Sequence, residues 1–229
     1  IAMDVNKGPL EKAQEHIREE KLGGKIATRL GNGLAPLEPG ETDTVIIAGM
    51  GGDLICKILK AKPEFLIEGK EFILQPQSEW FKIRRLLKEY RYQIEKEWFL
   101  KEDGKYYVII KAEPAWTQPQ RLKHQQPSIH EYIKEISDTQ VNQAVSEKDM
   151  ESIYEQYGKY LIETKNPVLK EYLEKEITKK ESIAAELKQS IKEIESEELS
   201  GKERGNIAKR QRRYQEIQKE IRDMRKAIG

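Results

Sequence analysis

Three short apolar runs near the front of the chain each break off into a polar or glycine-rich turn and then give way to helical sequence. They are Ala2-Met3-Asp4-Val5-Asn6, Leu30-Gly31-Asn32-Gly33-Leu34 and Val45-Ile46-Ile47-Ala48-Gly49-Met50-Gly51-Gly52. Strand, turn and helix in repetition is the sequence form of an open α/β sheet with parallel strands. Such sheets bind ligands at the carboxyl ends of their strands. Three such ends in one stretch therefore predict a nucleotide-like cofactor. Ile1-Ala2-Met3 reads as the tail of a strand, and a doubly wound fold normally has an earlier strand and glycine-rich turn, so the expectation is a first strand ahead of residue 1.

The alternation continues to about residue 116. Asn6-Lys7-Gly8-Pro9 opens a helix that runs through Ala13 and Ile17 to a break at Gly23-Gly24. Strands are expected over 25–30, 44–48 and 71–74, the last ending at Gln75-Pro76, with a helix over 51–61. Ser78 reads as the cap of a helix whose apolar face is Phe81, Ile83, Leu86 and Leu87. Strands over 92–100 and 105–111 meet at Glu102-Asp103-Gly104, a hairpin signal. The predicted architecture is a mainly parallel sheet finished by an antiparallel hairpin.

Beyond it, Thr117-Gln118-Pro119-Gln120 and Gln125-Gln126-Pro127 mark a linker, with 117–165 as linker and partly helical connector. The period then changes. Leu173, Ile177, Ala184, Leu187, Ile191 and Ile194 fall on steps of three and four interrupted by Lys180, and Ile207, Tyr214, Ile217, Ile221, Met224 and Ile228 repeat the pattern around Arg210. Over 166–229 this spacing predicts an antiparallel helical hairpin or coiled coil.

Composition agrees, since 37% hydrophobic and 35% charged residues leave part of the 229-residue chain as solvated helix. With a net charge of +1, any nucleic-acid partner must be held by a local basic patch. The single cysteine, Cys56, forms no intrachain disulfide and reads as a small buried helix residue, which suits a cytoplasmic location. No apolar run nears the roughly 20 residues that cross a bilayer. His16, His124 and His130 are scattered, so no metal site is expected.

At the strand ends, Asp4 suits a ribose diol, or with Asn6 it caps the following helix. Gly31-Asn32-Gly33 suits the polar edge of an adenine and is equally a good turn. Ala48-Gly49-Met50-Gly51-Gly52 marks close approach of a ligand, with phosphate at the helix N-terminus as the alternative. Neither a complete P-loop nor a complete G-x-G-x-x-G fingerprint is present. Gln75 and Gln77 offer amides to a base edge, or are loop residues.

Asp-Val-Asn-Lys-Gly-Pro, Gly-Asn-Gly-Leu, Ile-Ala-Gly-Met-Gly-Gly and Leu-Gln-Pro, followed by a Glu-Asp-Gly-Lys hairpin and a helical C-terminal appendage, resemble the bacterial tRNA (adenine-N1)-methyltransferases acting on adenine 22. The resemblance covers residues 1–113 closely. It implies a Rossmann-like class I methyltransferase domain over 1–116, S-adenosylmethionine as cofactor and tRNA as partner, with a monomer favoured and no membrane or metal partner. It further implies that Asp4 and Val5 meet the cofactor ribose, that Gly31, Asn32 and Gly33 meet its adenine, and that Ala48, Gly49 and Met50 form the wall towards the target base. Gly51, Gln75 and Gln77 would then lie on the substrate side, with Arg212 and Arg213 on RNA phosphates. Family members usually carry Asp where this chain has Asn32, and Asn where it has Gln77. The family's first strand and its Gly-Ser-Asp-His turn, which hold the expected catalytic residues, have no counterpart in these residues. A nonenzymatic reading, a nucleotide-fold module with a coiled coil that recruits a protein partner, stands beside the enzyme.

Overall fold

The computed structural model describes residues 1–115, 145–195 and 201–229. The Gln- and Pro-containing linker, His124 and His130 lie outside the described residues. The chain divides into two compact units, one made of Ile1–Glu97 with the stretch from Val108, the other of Trp98–Tyr107 with the C-terminal helices.

In the first unit β1 (Ala2–Asp4), α1 (Lys7–Glu19) and β2 (Thr28–Leu30) are followed by β3 (Thr44–Met50), α2 (Gly52–Ala61) and α3 (Pro63–Ile67). Then come β4 (Glu71–Pro76), α4 (Trp80–Glu89), β5 (Tyr92–Glu102) and β6 (Lys105–Pro114). The expected single sheet is two ladders among the described residues: β1 beside β2, and a four-stranded β3-β4-β6-β5. β1–β2 and β3–β4 run parallel and β4–β6 antiparallel. Ile46 on β3 and Leu30 on β2 are 67% and 50% exposed, so apolar side chains stand uncovered in both ladders.

Alternation of side chains sets which face is covered. Val45 and Ile47, Phe72 and Leu74, and Val108, Ile110 and Ala112 point into the core. Ile55, Ile58 and Leu59 of α2 and Ile83, Leu86 and Leu87 of α4, spaced three and four apart, are buried in turn, and these two helices pack on one another. Phe65 and Leu66 of α3, a helix the sequence reading missed, are fully buried. Between α4 and β5 a buried ion pair joins Arg84 Nε to Glu97 Oε1 at 2.8 Å.

Two local expectations are corrected. The strand expected over 25–30 shrinks to Thr28–Leu30, because the N–H groups of Lys25 and Ile26 donate to the Leu22 carbonyl instead of a ladder. Ser78 does not cap α4; Glu79, at φ +53°, holds that position, and its side chain makes no capping bond. The hairpin turn is as expected, with Asp103 at φ +46° and Gly104 at φ +76°, the pair of positive values a two-residue type I′ turn needs.

The second unit contains the hairpin tip, α5 (Val145–Tyr157), α6 (Lys159–Glu163), α7 (Pro167–Glu195) and α8 (Gly201–Ile228). Asn166 starts α7 by accepting the N–H groups of Val168 and Leu169 on Oδ1, both at 3.0 Å. The rings of Phe99, Tyr106 and Tyr172 pack together, and Glu171 gathers Lys101, Lys175 and the Tyr106 hydroxyl at 2.6, 2.7 and 3.1 Å. These partners, Lys101 first, hold the Glu171 carboxyl down at about 2.

α7 and α8 pack antiparallel, as the pairs Lys180–Glu220 and Arg210–Ser190 show. Leu173, Ile177, Ala184, Ile191, Ile207, Ile217, Ile221 and Met224 are buried between them or beneath. Lys180 and Arg210, the two polar interruptions, each find their partner on the opposite helix.

Candidate functional site

β1 and β2 run in a register that sets Asp4 opposite Leu30, and the Gly31 N–H donates to the Asp4 carbonyl at 3.0 Å. The Asp4 carboxylate and the Gly31-Asn32-Gly33 turn therefore occupy the same end of one ladder. Asp4 Oδ1 accepts the Asn6 N–H at 2.7 Å, and Asn6, at the N-cap of α1, makes no side-chain bond to the helix. Asp4 thus fixes the turn with one carboxylate oxygen and keeps a second for another donor.

The two glycines of this turn are explained by packing. A Cβ at Gly31 would lie 2.1 Å from Pro36 Cγ, and one at Gly33, at φ +55°, would lie 2.8 Å from Ile58 Cγ2 on α2. The turn closes through the Ala35 N–H to the Asn32 carbonyl at 3.1 Å, leaving Asn32 exposed. Arg29, which the sequence reading passed over, clasps the loop: Nη1 donates to the Pro36 carbonyl at 2.8 Å, and both Nη atoms reach the Glu41 carboxylate at 2.6 Å. Lys62 Nζ donates to the Leu37 carbonyl at 3.2 Å and ties the same loop to the start of α3. A lone Arg in a short strand followed by Glu-Pro-Gly-Glu was the available signal.

At the end of β3 the ladder register slips between Ala48 and Met50, so that Ala48 faces Gln75 and Met50 faces Pro76. Gly49 is the extra residue, at φ +78°, with no atom of the described residues within 4 Å of where a Cβ would stand. Its N–H donates to Gln75 Oε1 at 2.8 Å. The Gln77 N–H donates to the Met50 carbonyl at 2.8 Å and the Gly52 N–H to the Ser78 carbonyl at 3.0 Å, binding the two strand ends into one rim. Gly52 is needed for that contact, since a Cβ there would lie 2.7 Å from the carbonyl oxygens of Ser78 and Glu79. Gly51, the N-cap of α2, has Ser78 Oγ at 3.2 Å from its Cβ position. So Ala48, Gly49, Met50, Gly51, Gln75 and Gln77 stand together, and of the three rim glycines, Gly49, Gly51 and Gly52, it is Gly49 whose Cβ position meets no atom of the described residues.

The phosphate alternative fares poorly at this rim. Asp53 sits in the first turn of α2, held ionised near 2 by Lys57 and then Lys82, whose Nζ atoms lie 2.8 and 3.0 Å away. A carboxylate there takes up the positive end of the helix and repels an anion. Cys56 is half-buried and its Sγ lies 3.5 Å from the Lys82 carbonyl; burial pushes the thiol up, away from reactivity. Among the described residues no group of three or more His, Cys, Asp or Glu could hold a metal ion, and no helix is long and apolar enough to cross a membrane.

Arg212 and Arg213 belong to the second unit. Both are exposed, but Arg213 is engaged by Glu216 and Glu220 at 3.2 and 3.5 Å. The helix register brings Lys188 to the level of Arg212, and Lys188, Lys192, Lys209 and Arg212 are all exposed. The sequence reading saw the α8 part of this group and missed the α7 part, because register decides which residues of two helices stand level.

A family model described as TrmK, tRNA (adenine(22)-N(1))-methyltransferase, matches residues 1–155. The tRNA (adenine(22)-N(1))-methyltransferase of Bacillus subtilis (strain 168) is 33% identical over 174 residues, which is 62% of this chain and 72% of that protein. Two solved structures share the fold. A Streptococcus agalactiae protein of the NADB-Rossmann superfamily has a TM-score of 0.65 at 22% identity, over 100% of this chain and 79% of its own. M. capricolum TrmK, solved with S-adenosyl-homocysteine, has a TM-score of 0.62 at 22% identity, over 99% of this chain and 79% of its own.

Proposed function

Because the chain belongs to the tRNA (adenine(22)-N(1))-methyltransferase family, we propose that it transfers a methyl group from S-adenosylmethionine to N1 of an adenine in tRNA, adenine 22 as the family's name has it. The observation that carries this reading is the pair of strand ends: a carboxylate with a spare oxygen beside an exposed Asn32, and a bulged rim where Gly49 leaves its backbone open. The residues fit the cofactor, since Asp4 has acceptor capacity to give and Asn32 stands exposed at the same strand end. The family match favours the enzyme over a nonenzymatic interaction protein.

Bound S-adenosylmethionine supplies an electrophilic methyl on a sulfonium. Adenine N1 already carries a lone pair, so the protein has no proton to remove beforehand and its task is alignment and exclusion of water. In this reading Asp4 and Val5 hold the ribose, and Gly31, Asn32 and Gly33 the cofactor's adenine. Ala48, Gly49 and Met50 wall the cofactor from the target base, which must leave its stack to enter and which meets Gly51, Gln75 and Gln77. No catalytic residue is assigned among these. A tRNA substrate places the work in the cytoplasm. We read α7 and α8 as a coiled coil that meets RNA phosphates through Lys188, Lys192, Lys209 and Arg212, with 1–116 as the methyltransferase domain.

The test is methylation of an unmodified tRNA transcript, followed by nucleoside mass spectrometry. N1-methyladenosine is expected, and is expected to vanish when adenine 22 is replaced by guanine. Asp4→Ala should weaken S-adenosylmethionine binding by about 1 to 3 kcal/mol, the scale of losing hydrogen bonds to a charged group. Unchanged affinity by calorimetry would remove Asp4 from the ribose.

A further inference from the structure

Gln75 is the one residue of the strand-end rim whose side chain is half used. Its Oε1 accepts the Gly49 N–H at 2.8 Å, and this bond decides which way the carboxamide faces, because Nε2 cannot accept a proton from an N–H. Among the described residues, Nε2 is then buried with no acceptor. Folded proteins pair nearly all buried donors, and an orphan at the carboxyl end of a parallel strand pair calls for a partner from outside the chain.

The bond to Gly49 does more than satisfy an amide. Gly49 is the bulge residue, and its positive φ turns the backbone so that no atom of the described residues comes within 4 Å of its Cβ position. The bulge leaves that N–H outside the regular β3–β4 ladder, and a side chain has taken the place of a strand carbonyl. One carboxamide thus links the shape of the rim to an unmet hydrogen bond beside it.

We propose that Gln75 is a positioning residue with two hands: Oε1 holds the Gly49 bulge open, and Nε2 donates to a ring-nitrogen lone pair of the target adenine. This rests on the methyltransferase reading above. A donor cannot meet the exocyclic amine of adenine, and at N1 it would block the attacking lone pair, so the acceptor is N3 or N7. Those two atoms can be engaged while N1 stays free.

Two variants separate the hands. Gln75→Glu keeps an acceptor for Gly49 and, while ionised, loses the donor; Gln75→Met keeps the length and loses both. The protein, labelled with 15N, is first saturated with S-adenosylhomocysteine and then titrated with adenosine monophosphate. The Gln75 side-chain NH2 signals should move downfield in the second titration and not in the first. Gln75→Glu should bind the monophosphate roughly tenfold more weakly, recovering towards low pH as its carboxyl gains a proton to donate, with Gly49 amide exchange as slow as in the wild type. Gln75→Met should lose the affinity at every pH and speed Gly49 exchange at least tenfold.

A side-chain shift caused by S-adenosylhomocysteine alone would move the acceptor from base to cofactor and overturn the proposal, as would no shift in either titration. Unchanged Gly49 exchange in Gln75→Met would overturn the holding role. A wild type that shows the expected shifts and transfers no methyl to tRNA would sink the proposed function and leave the role of Gln75 standing.

Discussion

The first unit buries an ion pair and the second places its ion pairs on the surface, and this contrast sets what each tolerates. Arg84 and Glu97 have side chains only 4% and 0% exposed, and they join a helix to a strand inside the first unit. In the second, Lys180–Glu220 is partly exposed, while Arg225–Glu181 and Arg213–Glu220 lie open to water along the helix pair. A buried charge depends on its partner, whereas an exposed pair contributes about 0 to 1 kcal/mol. The teaching is that the same residue types bind tightly into one architecture and only decorate the other.

One exchange, made once in each unit, tests the contrast. Arg84→Leu should cost about 3 to 5 kcal/mol in a denaturant titration, because it strands the Glu97 carboxylate in the core. The sign with pH follows. Burial already raises the Glu97 carboxyl above its unfolded value against the pull of Arg84, and losing Arg84 raises it further. An acid with a raised folded value is favoured when protonated, so the variant should regain stability as pH falls and lose it as pH rises through that folded value. A deficit that stays flat with pH would mean that Glu97 is not the cause.

The glycines give the next effect. Gly52→Ala must displace two backbone carbonyls 2.7 Å from its Cβ and should destabilise the first unit by about 1 to 3 kcal/mol. Gly49→Ala meets no atom and suffers only its positive φ, a cost of about 1 to 2 kcal/mol. It should weaken ligand binding more than Gly52→Ala does for a given loss of stability. Thermal unfolding beside calorimetry reads both, and equal binding losses would deny Gly49 its place at the ligand.

Sequence made the second unit legible in period and the first legible in order. Leu173 to Met224 announce a helix pair, since a repeat of three and four is written in local spacing. Asp4, Asn32 and Gly49 announce strand ends for the same reason. What sequence hid were contacts between residues far apart in the chain. Gly33 against Ile58, Gly52 against the Ser78 carbonyl, Arg29 around Pro36, and the Glu171 grip on the hairpin tip each depend on tertiary approach. The split of the sheet into two ladders was hidden likewise, because hydrogen bonding between strands is not a local property.

Lys180→Leu is the second half of the exchange, and its effect should be small. It removes a charge from a buried heptad stripe, and Glu220 keeps Arg213 at 3.5 Å, so no carboxylate is left stranded. Stability should change by less than about 1 kcal/mol, in either direction, with Tm read by circular dichroism. A loss as large as that of Arg84→Leu would erase the difference between the units.

The smallest effect per residue tests whether the second unit's open charges serve RNA at all. Lys209 and Arg212 are exposed, and the described side chains offer them no carboxylate, whereas Arg213 is held by Glu216 and Glu220. A cation already engaged within its helix releases fewer counterions on meeting a phosphate than one standing free. Changing Lys209 and Arg212 together to Glu should therefore weaken tRNA binding and lower the salt slope by about one for each cation that meets a phosphate, with S-adenosylmethionine affinity unchanged. Arg213→Gln should leave tRNA affinity within about twofold of the wild type. A fluorescence titration at several salt concentrations decides it. If the double variant matches the wild type in affinity and slope, the helix pair meets a protein and not RNA, and the charges of the second unit are then a solvated face.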